Sequence, residues 1–229
     1  MKIISEFPMT FGINTSRRHA FIALISWCIL FFAQIYFNVN PTISVLLRTI
    51  ILSTLMIISS VIWARTEYKG ALHEWLGLDE GRITLLTYMT VAAVLVFFTR
   101  NSFREATILA ESSLILPVVE ELYFRCYILG SAVKGWPVFY SLSRSERGKF
   151  VRKATIPLAL SSIAFALVHD DVISLIIKGF AADYMLLILI LLRVTFGLAV
   201  GGIYILQRNL AIPAFFHVAF NLSFYILKN

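Results

Sequence analysis

The sequence predicts an all-α fold: a polytopic transmembrane helix bundle of about seven spans, with its site of chemistry inside the membrane. Three observations predict it. Of 229 residues, 59% are hydrophobic and only 14% are charged, against about 45–50% and about 25% in soluble domains. Mean hydropathy is +0.83. Apolar runs close to the roughly 20 residues needed to cross a bilayer recur along the whole chain.

Taken in order, the predicted spans are 20–37, 42–64, 83–99, 106–130, 154–178, 184–206 and 210–227. The fifth is ambiguous, because the apolar part from 154 to 169 is short for a full crossing. It either continues through "HDDVISLIIK" or bends back within the membrane. The N-terminal stretch lacks a short apolar core followed by a small-residue cleavage site, so the first span is expected to act as an uncleaved insertion signal. Neither internal repeats nor low-complexity segments are visible. Cys28 and Cys126 both lie in apolar runs, which argues against a disulfide framework.

Charge sets the expected orientation. The segment 134–153 carries Lys134, Arg144, Arg147, Lys149, Arg152 and Lys153 against the single acid Glu146. Excess Lys and Arg mark cytoplasmic loops. Counting spans back from that segment places the N-terminus, with Arg17 and Arg18, in the cytoplasm as well. The net charge of +7 is then topogenic and calls for no nucleic acid. The expected setting is a plasma or inner membrane, with the lipid bilayer itself as a partner.

Against this background the stretch "PVVEELYFRCYILG" stands out, since it sets Glu120, Glu121 and Arg125 inside an apolar run. A charge at the bilayer centre costs at least about 2.5 kcal/mol on insertion scales, so such groups are rare and usually functional. Glu121 and Arg125, at i and i+4, share a helix face and can pair. Glu120 points about 100° away and finds no basic neighbour on its own helix. It therefore needs a wet cavity or a proton. Two later spans each carry a histidine: "FALVH" places Phe165 one turn before His169, and "HVAFN" places His217 one turn before Asn221. At about 1.5 Å per residue, Glu120, His169, His217 and Asn221 can all lie within a hydrocarbon layer of about 30 Å.

A carboxylate and an imidazole that share a water can remove its proton, making a nucleophile for peptide-bond attack. A second histidine and an asparagine amide can donate hydrogen bonds to the oxyanion that develops. No nucleophile-elbow serine is present, and neither cysteine lies within four residues of a histidine. Glu120, His169 and His217 also make a His₂Glu set able to hold zinc with one position open to water, although the HExxH signature is absent. The metal-free reading is preferred, with no cofactor. Gly197 and Gly201 form a G-x-x-x-G, read as close helix packing within the bundle rather than homodimerisation.

Together the three motifs, "EELYFR", "FALVH" and "HVAFN", in this order on separate spans, resemble those of the CPBP superfamily of intramembrane proteases. That superfamily includes type II CAAX prenyl endopeptidases and bacteriocin-processing or self-immunity proteins. The resemblance covers about residues 106–225 and includes the approach "FGLAVGGIYILQRNLAIPAF". It implies a catalytic bundle over 106–229, preceded by N-terminal spans 1–105 of unassigned role. It further implies that Glu120 and His169 activate water and that His217 and Asn221 form the oxyanion hole, with Glu121, Arg125 and Phe165 in support. One departure is Cys126, where the family usually has glycine, which questions the close helix contact there.

The leading expectation is thus a glutamate-based intramembrane endopeptidase acting on a peptide near the cytoplasmic side. Its partner is a peptide or protein substrate, a lipidated or membrane-anchored one included. The alternatives are a zinc-dependent intramembrane metalloprotease on the same residues, or a non-enzymatic proton-coupled transporter or membrane scaffold. Arg48, Glu111 and Arg193 are further charges in or near spans; Glu111 and Arg193 either support the site from behind or snorkel to the interface, and snorkelling is preferred.

Overall fold

The structure is a computed structural model that describes residues 16–40, 45–67, 115–133, 139–169, 172–174, 177, 184–207 and 209–228. The expected span 83–99, the first part of span 106–130, Glu111 and most of the polar loop 65–82 lie outside the described residues. What is described is all-helical, with no strand among it. Helix α1 is Ser16–Val39 and α2 is Val45–Glu67. A composite helix follows: α3 (Leu116–Glu121), a π-helical stretch (Leu122–Leu129) and α4 (Gly130–Ala132). The last three long helices are α5 (Arg144–Leu167), α6 (Tyr184–Gln207) and α7 (Ala211–Lys228).

Among the described residues, three helical stretches, Phe21–Val39, Arg144–Leu167 and Leu187–Gln207, are long and apolar enough to cross a membrane. Their outward faces carry large apolar side chains: Phe21, Phe32, Ile156, Leu160 and Leu191 are all exposed. A water-facing surface rarely gathers so much apolar area; a lipid-facing one requires it. Backbone polar groups in lipid must be satisfied internally, which is why the spans are helical.

Helix α5 differs from its sequence expectation. It starts at Arg144, ten residues before the predicted 154, so half of the basic segment, with five of its six cations, is helix rather than loop. The cause is local: Ser143 and Glu146 form a capping box, with the Ser143 N–H donating to Glu146 Oε2 at 2.9 Å. The S-x-x-E pattern satisfies otherwise unpaired N–H groups of the first turn. The early start gives α5 a full 24 residues and removes the question of a short crossing.

Helices α5 and α6 pack closely through small residues. A side chain built at Gly197 would meet Ser162 Cβ at 3.0 Å and Cα at 3.1 Å, and one at Gly201 would meet Leu158 Cδ1 at 2.6 Å. The G-x-x-x-G spacing therefore serves packing within this chain. The N-terminal pair is joined to the rest by neutral hydrogen bonds. The Ser26 hydroxyl lies 2.9 Å from both Ser59 Oγ and the Tyr123 hydroxyl. Trp27 Nε1–H donates to the Ala164 carbonyl at 3.1 Å. In the same way Ser161 of α5 donates to the Phe124 carbonyl of the composite helix at 3.1 Å. Cys126 is fully buried in the core, so its thiol is accommodated at the contact. Among the described residues, neither cysteine is joined in a disulfide.

Candidate active site

The junction of α3 with the π-helical stretch carries the two acids. An i→i+5 stretch inside an α-helix is rare and concentrates at functional sites. A regular helix was expected here, and the widened turn is a feature that residue periodicity does not reveal. The neighbours separate at once. Glu121 and Arg125 are fully buried, whereas Glu120 keeps 12% of its side chain exposed. The former belong to the interior and the latter opens onto a cavity.

Glu121 and Arg125 pair as their spacing predicts, with Arg125 Nε–H donating to Glu121 Oε2 at 2.9 Å. The other carboxylate oxygen, Oε1, lies 3.0 Å from His217 Nδ1. A carboxylate paired with arginine can only accept, so His217 donates its Nδ1–H. That leaves Nε2 directed at Glu120, 3.6 Å from Oε2. The Arg125 guanidinium also sits over the Phe165 ring, 5.0 Å from its centroid, a cation–π contact strengthened by exclusion of water.

The second imidazole is oriented by the end of a helix. The last carbonyls of an α-helix have no intrahelical partner, and α5 uses three of them for specific purposes. The Ala164 carbonyl takes Trp27, the Phe165 carbonyl takes His169 Nδ1–H at 2.7 Å, and the Ala166 carbonyl takes the His169 backbone N–H at 3.3 Å. A carbonyl cannot donate, so the neutral His169 ring carries its proton on Nδ1 and presents a lone pair at Nε2. Nε2 lies 4.0 Å from Glu120 Oε2. Phe165 forms the floor between the two histidines, with ring centroids 4.6 Å from His169 and 5.5 Å from His217.

Glu120, His169 and His217, from three separate elements, therefore meet around one carboxylate oxygen, with Glu121, Arg125 and Phe165 immediately behind. Asn221 lies partly buried on α7, one turn beyond His217. A cavity of about 190 Å³ reaches the centre from α1, α2 and α6; it is lined by Glu120 and His169 and also by Gln34, Arg48 and Arg193. The snorkelling expectation for Arg193 is thereby corrected. Its side chain shares the cavity wall with Glu120 and His169. A cavity wall gives a guanidinium a polar setting without the reach to the interface. Glu111, assigned the same role, lies outside the described residues. Arg48 and Gln34 went unassigned in the sequence; the only signal was a charge three residues into an apolar helix. Among the described residues, no group of three His, Cys, Asp or Glu side chains is arranged to hold a metal ion.

A helical membrane bundle with carboxylate and imidazoles gathered at a buried cavity defines a candidate membrane hydrolase. The family comparison agrees: residues 102–223 match the type II CAAX prenyl endopeptidase Rce1-like family, and the chain belongs to it. No curated protein and no solved structure matches the chain. Membership makes it an intramembrane endopeptidase of the CAAX type, a hydrolase whose substrate is a protein or peptide at a membrane.

Proposed function

We propose that the chain hydrolyses a peptide bond by glutamate chemistry, with Glu120 as general base. The observation that carries this reading is the approach of two imidazole Nε2 atoms to Glu120 Oε2, at 3.6 and 4.0 Å. With hydrogen-bond arms of about 2.8 Å, the longer separation subtends roughly 90° at a shared water oxygen, close to water's own angle. Such a water gives one hydrogen to Glu120 and the other to the His169 lone pair. Its oxygen attacks the scissile carbonyl carbon as Glu120 takes the proton. The same proton then passes to the leaving amine as the C–N bond breaks.

The carbonyl oxygen becomes an oxyanion during the attack. His217, held by Glu121, and the Asn221 amide donate to it. Arg125 holds Glu121, and Glu121 holds His217, so this pair positions the donor rather than touching substrate. The basic start of α5 supports a cytoplasmic setting for that end of the bundle, by the Lys and Arg asymmetry.

The test uses purified full-length protein and a library of lipidated and unmodified peptides. Glu120→Gln and His169→Ala should each lower kcat by about 10²–10⁴-fold while the protein stays folded; cleavage at the wild-type rate by either variant overturns the reading. The zinc alternative, on Glu120, His169 and His217, is decided by metal analysis of active protein. Stoichiometric zinc, with activity lost to chelator and restored by zinc, establishes it.

A further inference from the structure

The basic start of α5 has no part in the proposed chemistry, yet as helix it has a defined geometry. Arg147 turns back, donating to the Leu142 and Tyr140 carbonyls at 3.1 and 3.5 Å and lying over the Phe139 ring. Glu146, the single acid of the segment, is held by Ser143 in the cap. Lys149, Arg152 and Lys153 are exposed. At spacings of three and four residues they share one helix face with Ile156, Leu160 and Ile163, which are 67%, 62% and 44% exposed. On the other side Phe150, Ala154 and Phe165 are buried. The outward stripe is therefore cationic over the turn from Lys149 to Lys153 and apolar for about two turns after it.

Water does not suit the second half of this stripe, and acyl chains alone do not suit the first. The two halves together match an amphiphile with an acidic head. Membrane topology needs only the number of Lys and Arg on one side; it does not require them to line up with a lipid-facing stripe. We infer that this face of α5 is a binding surface for an anionic phospholipid. Its phosphate and headgroup lie at Lys149, Arg152 and Lys153, whose long stems reach along the helix to the phosphate layer. An acyl chain lies along Ile156, Leu160 and Ile163. The inference stands apart from the hydrolase reading, because none of these side chains lines the cavity beside Glu120.

The experiment uses full-length protein in neutral detergent and two probes with identical acyl chains, phosphatidylglycerol and phosphatidylcholine, with bound lipid counted by native mass spectrometry. Wild type should hold the anionic lipid at least about tenfold more tightly, as expected for two or three cations contributing about fivefold each. Arg152→Gln with Lys153→Gln should bring that ratio below about fivefold. Arg17→Gln with Arg18→Gln, an equal change in net charge, should leave it near the wild-type value. Equal retention of the two lipids by wild type overturns the surface and needs no variant. An equal loss in both double variants overturns it too, since the attraction is then that of net charge alone. Glycerol phosphate, which has the charge without the acyl chains, should fail to displace the lipid; displacement at comparable concentration overturns the lipid assignment in favour of a bare phosphate site. Retention is read without turnover, so a chain that cleaves no peptide can still pass this test and an active one can still fail it.

Discussion

The α1–α2 pair and the motif-bearing helices handle polarity in opposite ways. In the pair, neutral hydroxyls do most of the joining: Ser26 meets Ser59 and Tyr123, and Ser60 donates back to the Met56 carbonyl of its own helix at 2.8 Å, with Arg48, donating to Gln34 Oε1 at 2.7 Å, the charged exception. In the composite helix and in α5 to α7, full charges are buried and linked. Arg125, Glu121 and His217 form one chain of contacts, and Glu120 stands at its edge. A hydroxyl satisfied on its own helix costs little and places little demand on sequence. A buried charge is costly unless an opposite charge stands beside it, so its neighbours are tied to it in space. Chemistry therefore concentrates where the demands on the sequence are greatest.

This contrast can be broken, starting from its largest expected effect. Glu121→Ala leaves Arg125 as an uncompensated buried cation and should cost about 3–5 kcal/mol, read by thermal unfolding in detergent. The double variant Glu121→Gln, Arg125→Met should regain most of the loss. A cost no greater than that of a serine substitution in α1 or α2 would erase the distinction.

Next, His217→Ala should lower kcat by about 10²–10³-fold, or roughly 2.7–4 kcal/mol, with KM little changed. Steady-state kinetics on a cleaved peptide reads this. A loss confined to KM would remove His217 from the oxyanion role.

Packing is the third lever. Gly197→Ala sets a methyl against Ser162 backbone and Cβ at 3.0–3.1 Å, whereas the 2.6 Å neighbour of Gly201 is the tip of a leucine that can turn away. Gly197→Ala should cost about 1–3 kcal/mol and Gly201→Ala less, read by melting temperature. The reverse order would mean that the helices separate before Leu158 turns.

The smallest effect belongs to the N-terminal pair. Ser59→Ala should cost about 0.5–1.5 kcal/mol and change peptide turnover by less than twofold.

The pairing of Glu121 with Arg125 was legible because i, i+4 spacing fixes it without tertiary information. The meeting of Glu120, His169 and His217 was legible only as a match of depths; their approach depends on how three helices rotate, which no single helix encodes. The capping box before α5 was present in the letters Ser143 to Glu146 but lay among basic residues that read as a loop. The π-helical stretch had no such signature. The cavity was out of reach because it is shared by α1, α2 and α6. Arg193 on α6 looked like an interface residue until those helices were set around it.

Where α5 stops has a consequence for proton transfer. One more helical turn would draw the Phe165 carbonyl into the regular backbone ladder and deprive the adjacent imidazole of its acceptor. The ring could then turn over and offer a hydrogen where the proposed mechanism needs a base. The length of a structural element, counted to the residue, thus selects which of two chemical isomers the enzyme displays.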